Sequence, residues 1–139
     1  MRTKPVPTSA RLEQVALGAA RAAGRIHLRR LSRTKIIRKT NAIDLVTEAD
    51  RESEQAVIRT LRRAFPDHAI LAEESGANAR RSAHRWIIDP LDGTTNFAHG
   101  FPQFCVSIAY ERRGRLELAV VFDASSANCS SQRAVVARG

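Results

Sequence analysis

The sequence predicts a layered domain of the α/β or α+β class, in which helices pack against a sheet. Two amphipathic helical segments come first, and short apolar runs typical of buried strands follow them. Several of these runs end in acidic residues, which places carboxylates at the edge of the predicted sheet. A chain of 139 residues, 43% hydrophobic and 27% charged, is long enough for one domain with its own core.

The first predicted helix follows a lead-in, residues 1–8, that we expect to be disordered. Thr8 or Ser9 can cap this helix. We expect it to end near Leu31, and residues 32–43 to form a mobile loop or an irregular hairpin. Its apolar face combines residues at helical spacing: Leu12, Val15, Ala16, Ala19, Ala23 and Ile26.

The second predicted helix starts near Thr47 or Asp50 and ends at Pro66-Asp67. Strands are predicted at residues 69–72, 86–88, 104–111 and 115–122, and the last two form a hairpin through Arg112-Arg113-Gly114. We expect residues 75–84 to form a surface loop and Pro90 to end the strand before it.

Two single residues carry specific expectations. Trp86 should lie in the core, where its indole N–H needs a hydrogen-bond partner. Cys105 lies in an apolar strand and is interpreted as an inert core thiol. Cys105 and Cys129 have neither the number nor the spacing of a disulfide framework or a metal site.

The net charge of +9 comes almost entirely from arginine. Such a balance permits binding to nucleic acid or to an acidic partner. The arginines are spread along the chain without interleaved aromatic residues, so a solvated surface is the simpler interpretation. No apolar run is long enough for a membrane span, and Met1-Arg-Thr-Lys-Pro5 lacks the apolar core of a secretory signal. We therefore expect a cytoplasmic protein with no membrane partner.

The segment Trp86-Ile-Ile-Asp-Pro-Leu-Asp-Gly-Thr-Thr-Asn-Phe97 holds the strongest chemical signal. Asp89 and Asp92 follow a buried strand, and the residues from Gly93 resemble the entry to a helix. Carboxylate oxygens suit Mg²⁺, and the N–H groups of a helix start suit a phosphate. The alternative is an Asp-Pro turn followed by an Asp-Gly cap.

This segment resembles the signature of the inositol monophosphatase family, which consists of Mg²⁺-dependent, Li⁺-sensitive phosphomonoesterases. Asp44-Leu-Val-Thr-Glu-Ala-Asp50 and Leu71-Ala-Glu-Glu-Ser75 match further family motifs in order and spacing. The resemblance covers roughly residues 9–126. It implies the layered α/β sandwich of that family, of which this chain covers about the first half.

The resemblance also implies a metal site, with two or three Mg²⁺ ions when complete. Glu73, Asp89 and the main-chain carbonyl of Leu91 would hold the first ion, and Asp89 and Asp92 would contribute to the second. Glu74 would be a further acid near the site. The sequence alone allows a plainer interpretation of Glu73-Glu74 as a solvated loop pair.

The same resemblance implies roles in catalysis. Thr94, hydrogen-bonded to Asp50, would orient and deprotonate the attacking water, and the N–H groups of Gly93 and Thr94 would bind phosphate oxygens. Lys39 and Asp44 would lie on a mobile loop that closes near the metals, and Thr95 would support the site. Without the resemblance, Asp50 is a helix-start carboxylate, Lys39 a loop charge, and Thr94 and Thr95 are helix caps.

The implied function is hydrolysis of a small phosphorylated polyol, with myo-inositol 1-phosphate as the substrate and a homodimer as the full-length form. Fructose 1,6-bisphosphate and phosphoadenosine phosphate are the alternative substrates within the superfamily. A binding role at RNA polymerase or RNA is the alternative from another class, because the hairpin at Gly114–Asp123 resembles bacterial relatives with such partners.

The end of the chain departs from the family pattern. Residues 127–139 lack the strand and glycine turn of the family, and no Trp-Asp-x-Ala motif follows to complete the second metal site. We hypothesise that a frameshift replaced the tail from about Asn128. We expect such a truncated chain to expose apolar faces and to risk inactivity.

Overall fold

The computed structural model describes residues 5–36, 42–72, 76–77, 81–93, 97, 104–124 and 133–139, without the side chains of 32–36, 42–47, 76–77 and 133–135. The elements are α1 Ser9–Ile36, α2 Ala42–Ala64, β1 Ala69–Ala72, β2 Gly76–Ala77, β3 His84–Asp92, β4 Cys105–Arg112, β5 Arg115–Asp123 and β6 Arg133–Arg138. The strands form one six-stranded sheet in the order β2-β1-β3-β4-β5-β6. Both helices pack on the sheet, so the predicted layered α/β class is confirmed.

The sheet is mixed. β1 runs parallel to β3, with Ile70 opposite Trp86, and all other neighbouring strands are antiparallel. Since β1 and β3 are parallel, both end on the same side of the sheet, which is the side where Asp89 and Asp92 of β3 lie.

The core lies between the sheet and the two helices. Trp86, Ile108, Tyr110 and Val120 have no exposed surface there. The helical periodicity correctly predicted the side of α1 that faces them, because all six of its predicted apolar residues are buried. Thr8 caps α1, since its hydroxyl oxygen accepts a hydrogen bond from the N–H of Arg11 at 3.2 Å. Within the described ranges, neither helix is apolar enough along its length to cross a membrane.

The helices are longer than predicted. α1 continues past Leu31 to Ile36, and α2 already starts at Ala42, so the loop prediction is wrong for residues 32–36 and 42–43. Residues 37–41 lie outside the described part of the chain. The helices pack against each other, and such packing stabilises turns whose own periodicity is weak. Arg30 joins them by ion pairs to Glu48 and Glu52.

The strands also depart from the predictions. Pro90 does not end a strand: β3 runs from His84 to Asp92, with a register shift between Asp89 and Asp92. Proline is tolerated at such a bulge because its missing N–H costs no regular ladder bond. Gly76–Ala77 and His84 belong to strands, where a surface loop was expected. β6 lies in the atypical tail and pairs with β5.

Trp86 finds the partner that its indole N–H requires. The N–H donates to Nδ1 of His68 at 2.9 Å, and both side chains are buried. The ring of His68 stacks on Phe65 and His84 at centroid distances of 4.6 and 4.4 Å. Burial lowers the pKa of His68 to about 4, so its ring stays neutral and keeps accepting this bond at neutral pH.

Gly24 permits the close approach of α1 to β5. A Cβ at this position would lie 2.5 Å from Cε1 of Phe122 and 2.8 Å from Cβ of Ala124, both of which are buried side chains. Gly18, in the same helix, has open space where its Cβ would lie. The two glycines therefore allow a matched comparison, since both lie in α1 but only Gly24 is closely packed.

We expect Gly24→Ala to be less stable than Gly18→Ala. Both substitutions gain helix propensity of about 1 kcal/mol, but only Gly24→Ala overpacks the core, at a cost of about 1–3 kcal/mol. Urea unfolding followed by circular dichroism measures the difference. Equal stabilities of the two variants would contradict the packing of α1 on Phe122.

Candidate functional site

The end of β3 presents acidic side chains from an irregular piece of strand. Asp89 pairs with Ser107 and Asp92 with Cys105, so β3 has one more residue than β4 between these points. The N–H of Leu91 donates to Oδ1 of Asp89 at 3.3 Å. Asp89 is partly buried, Leu91 is buried and Asp92 is exposed. A bulge of this kind redirects side chains, which here places two carboxylates at the sheet edge.

The backbone turns sharply after Asp92. Gly93 has φ of 93°, in the left-handed region where glycine carries no Cβ penalty. Its carbonyl accepts a hydrogen bond from the N–H of Phe97 at 3.0 Å, which is a bond of helical spacing. This agrees with the predicted helix entry, although residues 94–96 lie outside the described part.

A second apolar cluster supports this turn. Phe97 is fully buried in it, and burial of such a side chain contributes about 1.5–3 kcal/mol. The cluster joins both helices to the end of β3, through Leu31, Ala49, Leu91, Phe97 and Phe104. The turn that follows Asp92 is therefore stabilised by apolar packing against both helices.

Asp50 lies next to this cluster. It is 9% exposed and follows Ala49 in the interior of α2, so its interpretation as a helix-start carboxylate is wrong. Asp44 instead occupies the first turn of α2, where the helix dipole favours a carboxylate, and not a loop. The side chain of Asp44 lies outside the described part.

His27 is a residue of the site that no motif in the sequence singles out. Its Nε2 lies 2.7 Å from the carbonyl oxygen of Pro90, and the side chain has no exposed surface. Burial lowers the pKa of His27 to about 4, although the bond to Pro90 acts in the opposite direction. The ring is therefore neutral and donates its Nε2–H to the carbonyl. Among the described residues, Nδ1 has no partner.

Helical spacing could have placed His27 on the buried face of α1, because it follows Ala23 by four residues. Its partner could not have been predicted, since Pro90 is 63 residues away in sequence. The ring also contacts Phe97 and Phe104 edge-on, at centroid distances of 6.3 and 5.6 Å. His27 thus connects α1 to the backbone between Asp89 and Leu91.

Cys105 lies beside one of the carboxylates at the end of β3. Its Sγ lies 4.0 Å from Oδ2 of Asp92. Burial, and to a lesser extent the charges of Asp92, Asp123 and Asp89, together raise the pKa of the thiol to about 11. The thiol is protonated at neutral pH, as an inert thiol should be, but it is half-buried at the strand end and not in the core.

The remaining predicted residues lie outside the described part of the chain: Glu73, Glu74, Thr94, Thr95 and Lys39. Among the described side chains, no three His, Cys, Asp or Glu are grouped so as to hold a metal ion. The possible metal ligands that are described there are Asp89, Asp92 and the carbonyl of Leu91. All of them offer oxygen atoms, and oxygen ligands fit Mg²⁺.

Comparison with known proteins identifies the family. The profile described as "Inositol monophosphatase family" matches residues 9–135. The chain belongs to the inositol monophosphatase family. This confirms the resemblance found in the sequence.

Relatives within the family have different names. "Nus factor SuhB" of Pseudomonas aeruginosa is 49% identical over 114 residues, which cover 78% of this chain and 42% of the relative. "Inositol-1-monophosphatase" of Mesorhizobium japonicum is 49% identical over 81 residues, which cover 58% and 30%.

A solved structure has the same fold. The extragenic suppressor protein suhB of Bartonella henselae superposes with a TM-score of 0.78 at 35% identity, over 91% of this chain and 48% of that structure. The chain thus spans less than half the length of the relatives it matches.

We expect His27→Leu to loosen the end of β3. Loss of the hydrogen bond to Pro90 should raise amide exchange at Leu91 and Gly93 about five- to ten-fold, which corresponds to about 1 kcal/mol. His27→Gln, which keeps an N–H donor, should change exchange less. Hydrogen exchange measured by NMR distinguishes them, and unchanged protection in the leucine variant would contradict the anchoring role.

Proposed function

We propose that the end of β3 contributes to a Mg²⁺-dependent phosphomonoesterase site. The observation that carries the proposal is the bulge that sets Asp89 and Asp92 beside the positive-φ turn at Gly93. Carboxylates at this edge attract a hard cation, and the turn offers N–H groups to a phosphate.

In this proposal Glu73, Asp89, the carbonyl of Leu91 and Asp92 hold Mg²⁺. When bound, Mg²⁺ neutralises the charge on the phosphoryl oxygens and favours attack by water. The described residues help to position these ligands, because the ring of His27 hydrogen-bonds the carbonyl of Pro90, which lies between Asp89 and Leu91 in the chain.

The other proposed roles concern water and phosphate. Asp50 orients the hydroxyl of Thr94, and this pair positions and deprotonates the attacking water. The N–H groups of Gly93 and Thr94 bind phosphate oxygens. Glu74, Lys39, Asp44 and Thr95 support the site.

We further propose myo-inositol 1-phosphate as the substrate, in keeping with the name of the Mesorhizobium japonicum relative. Fructose 1,6-bisphosphate and phosphoadenosine phosphate are the alternatives. Since the chain spans less than half of its relatives, the complete activity, and a homodimer that carries it, are proposed for a protein of the relatives' length.

A second candidate function is binding to RNA or RNA polymerase. Two observations favour it: relatives named "Nus factor SuhB" match 78% of the chain, and the net charge is +9. An Asp89 variant distinguishes the two candidate functions, because it should lose catalysis and keep the binding to RNA or RNA polymerase.

We expect Asp89→Asn to lower the affinity of the chain for Mg²⁺ about ten-fold or more, since it removes a charged ligand. Isothermal titration calorimetry measures the affinity. Asp67→Asn is a matched control, because Asp67 precedes β1 at the opposite end of that strand from the site.

Phosphate release from myo-inositol 1-phosphate provides a second readout. Any Mg²⁺-dependent release by the wild-type chain should be lost in Asp89→Asn and kept in Asp67→Asn. If Asp89→Asn bound Mg²⁺ as tightly as the wild-type chain does, or retained its release rate, the metal-site assignment would be wrong.

A further inference from the structure

A groove lies between α1 and α2, and no described residue of the sheet lines it. Its volume is about 590 Å³. The two helices line it with small, polar and basic residues: Arg11, Gln14, Val15, Gly18, Ala22, Ala56, Arg59, Thr60, Arg63 and Ala64. It is separate from the acidic end of β3, since no residue is shared between them.

All the charged residues that line the groove are positive. Arg11, Arg59 and Arg63 line it, all three are exposed, and its lining contains no acidic residue. Within the described part of the chain these arginines form no ion pair, whereas Arg29 and Arg30 of the same helix layer are paired with glutamates. The charges of the groove are therefore available to a ligand.

The basic surface continues along α1. Arg21 and Arg25 are exposed and follow Gln14 and Gly18 at helical spacing, so they lie on the same stripe of the helix. From Arg11 to Arg25 this stripe is about 21 Å long at the helical rise of about 1.5 Å per residue. A ligand with a row of anionic groups matches such a stripe better than a single anion does.

Two kinds of polyanion, an acidic helix and a nucleic acid, need different contacts from the floor of the groove. Apart from Val15, which is buried, its apolar residues are glycine and alanines such as Ala22 and Ala56, so it offers no large apolar side chain, and a Cβ at Gly18 would meet open space. A docked acidic helix needs apolar anchors, which this floor does not provide. Arginine contacts to phosphates need none, and they supply most of the affinity in sequence-independent nucleic-acid binding.

We propose that this groove binds the sugar–phosphate backbone of RNA. The inference rests on the second candidate function and gives that function a location. The lining has no aromatic side chain on which bases could stack, so the binding is independent of sequence. Arginine guanidinium groups donate paired hydrogen bonds to phosphate oxygens, and the small floor lets the backbone approach the helices.

The test compares two triple variants that remove the same charge. Arg11→Gln/Arg59→Gln/Arg63→Gln changes the groove. The control, Arg81→Gln/Arg113→Gln/Arg115→Gln, changes three exposed arginines that lie outside it. Fluorescence anisotropy with a labelled single-stranded RNA measures the Kd of the full chain over a range of salt concentrations. DNA of the same sequence and a glutamate-rich helical peptide serve as further probes.

We expect the groove variant to lose about ten-fold in RNA affinity and to lower the salt slope by about two, since each phosphate contact to a single strand contributes about 0.7, while the control changes both far less. DNA should bind similarly, because only the backbone is contacted. Equal losses in the two variants would overturn the location and keep the binding role. Absence of RNA binding by the wild-type chain would overturn both. Tighter, groove-dependent binding of the peptide would show a protein partner instead.

Discussion

The hydrogen bond from Nε2 of His27 to the carbonyl oxygen of Pro90, 2.7 Å long and fully buried, is the contact on which the site geometry depends. It joins the middle of the longest helix to the bulge in β3, between Asp89 and Leu91. In a buried environment such a bond is expensive to leave unmade, so the bulge is held in one arrangement. The acidic end of the strand is thus positioned by the core, which keeps Asp89 and Asp92 at one end of the sheet against the repulsion between their like charges.

Much of the fold could be predicted because its elements carry local signals. The buried face of α1, the hairpin turn at Arg113 and Gly114, and the strand that contains Trp86 all follow from spacing and turn chemistry. The need of the Trp86 indole for a partner also followed from its chemistry, and His68 is that partner. The family was evident from the twelve residues around Asp89, and the match over residues 9–135 confirms it.

The features that could not be predicted depend on contacts between distant residues. α1 and α2 pack against each other, and periodicity within one segment does not reveal such a contact. Continuation of β3 through Pro90 depends on a bulge formed with β4. His27 looked like one more residue of a helix face, because nothing near it in sequence identifies its partner.

Cation binding at the end of β3 is the proposal from which the catalytic roles follow. Crystals of the chain soaked in Mn²⁺, a substitute for Mg²⁺ with a usable anomalous signal, test it. We expect an anomalous peak coordinated by Asp89, the carbonyl oxygen of Leu91 and Asp92. A map with no peak at this position, or with Mn²⁺ bound only elsewhere, would contradict it.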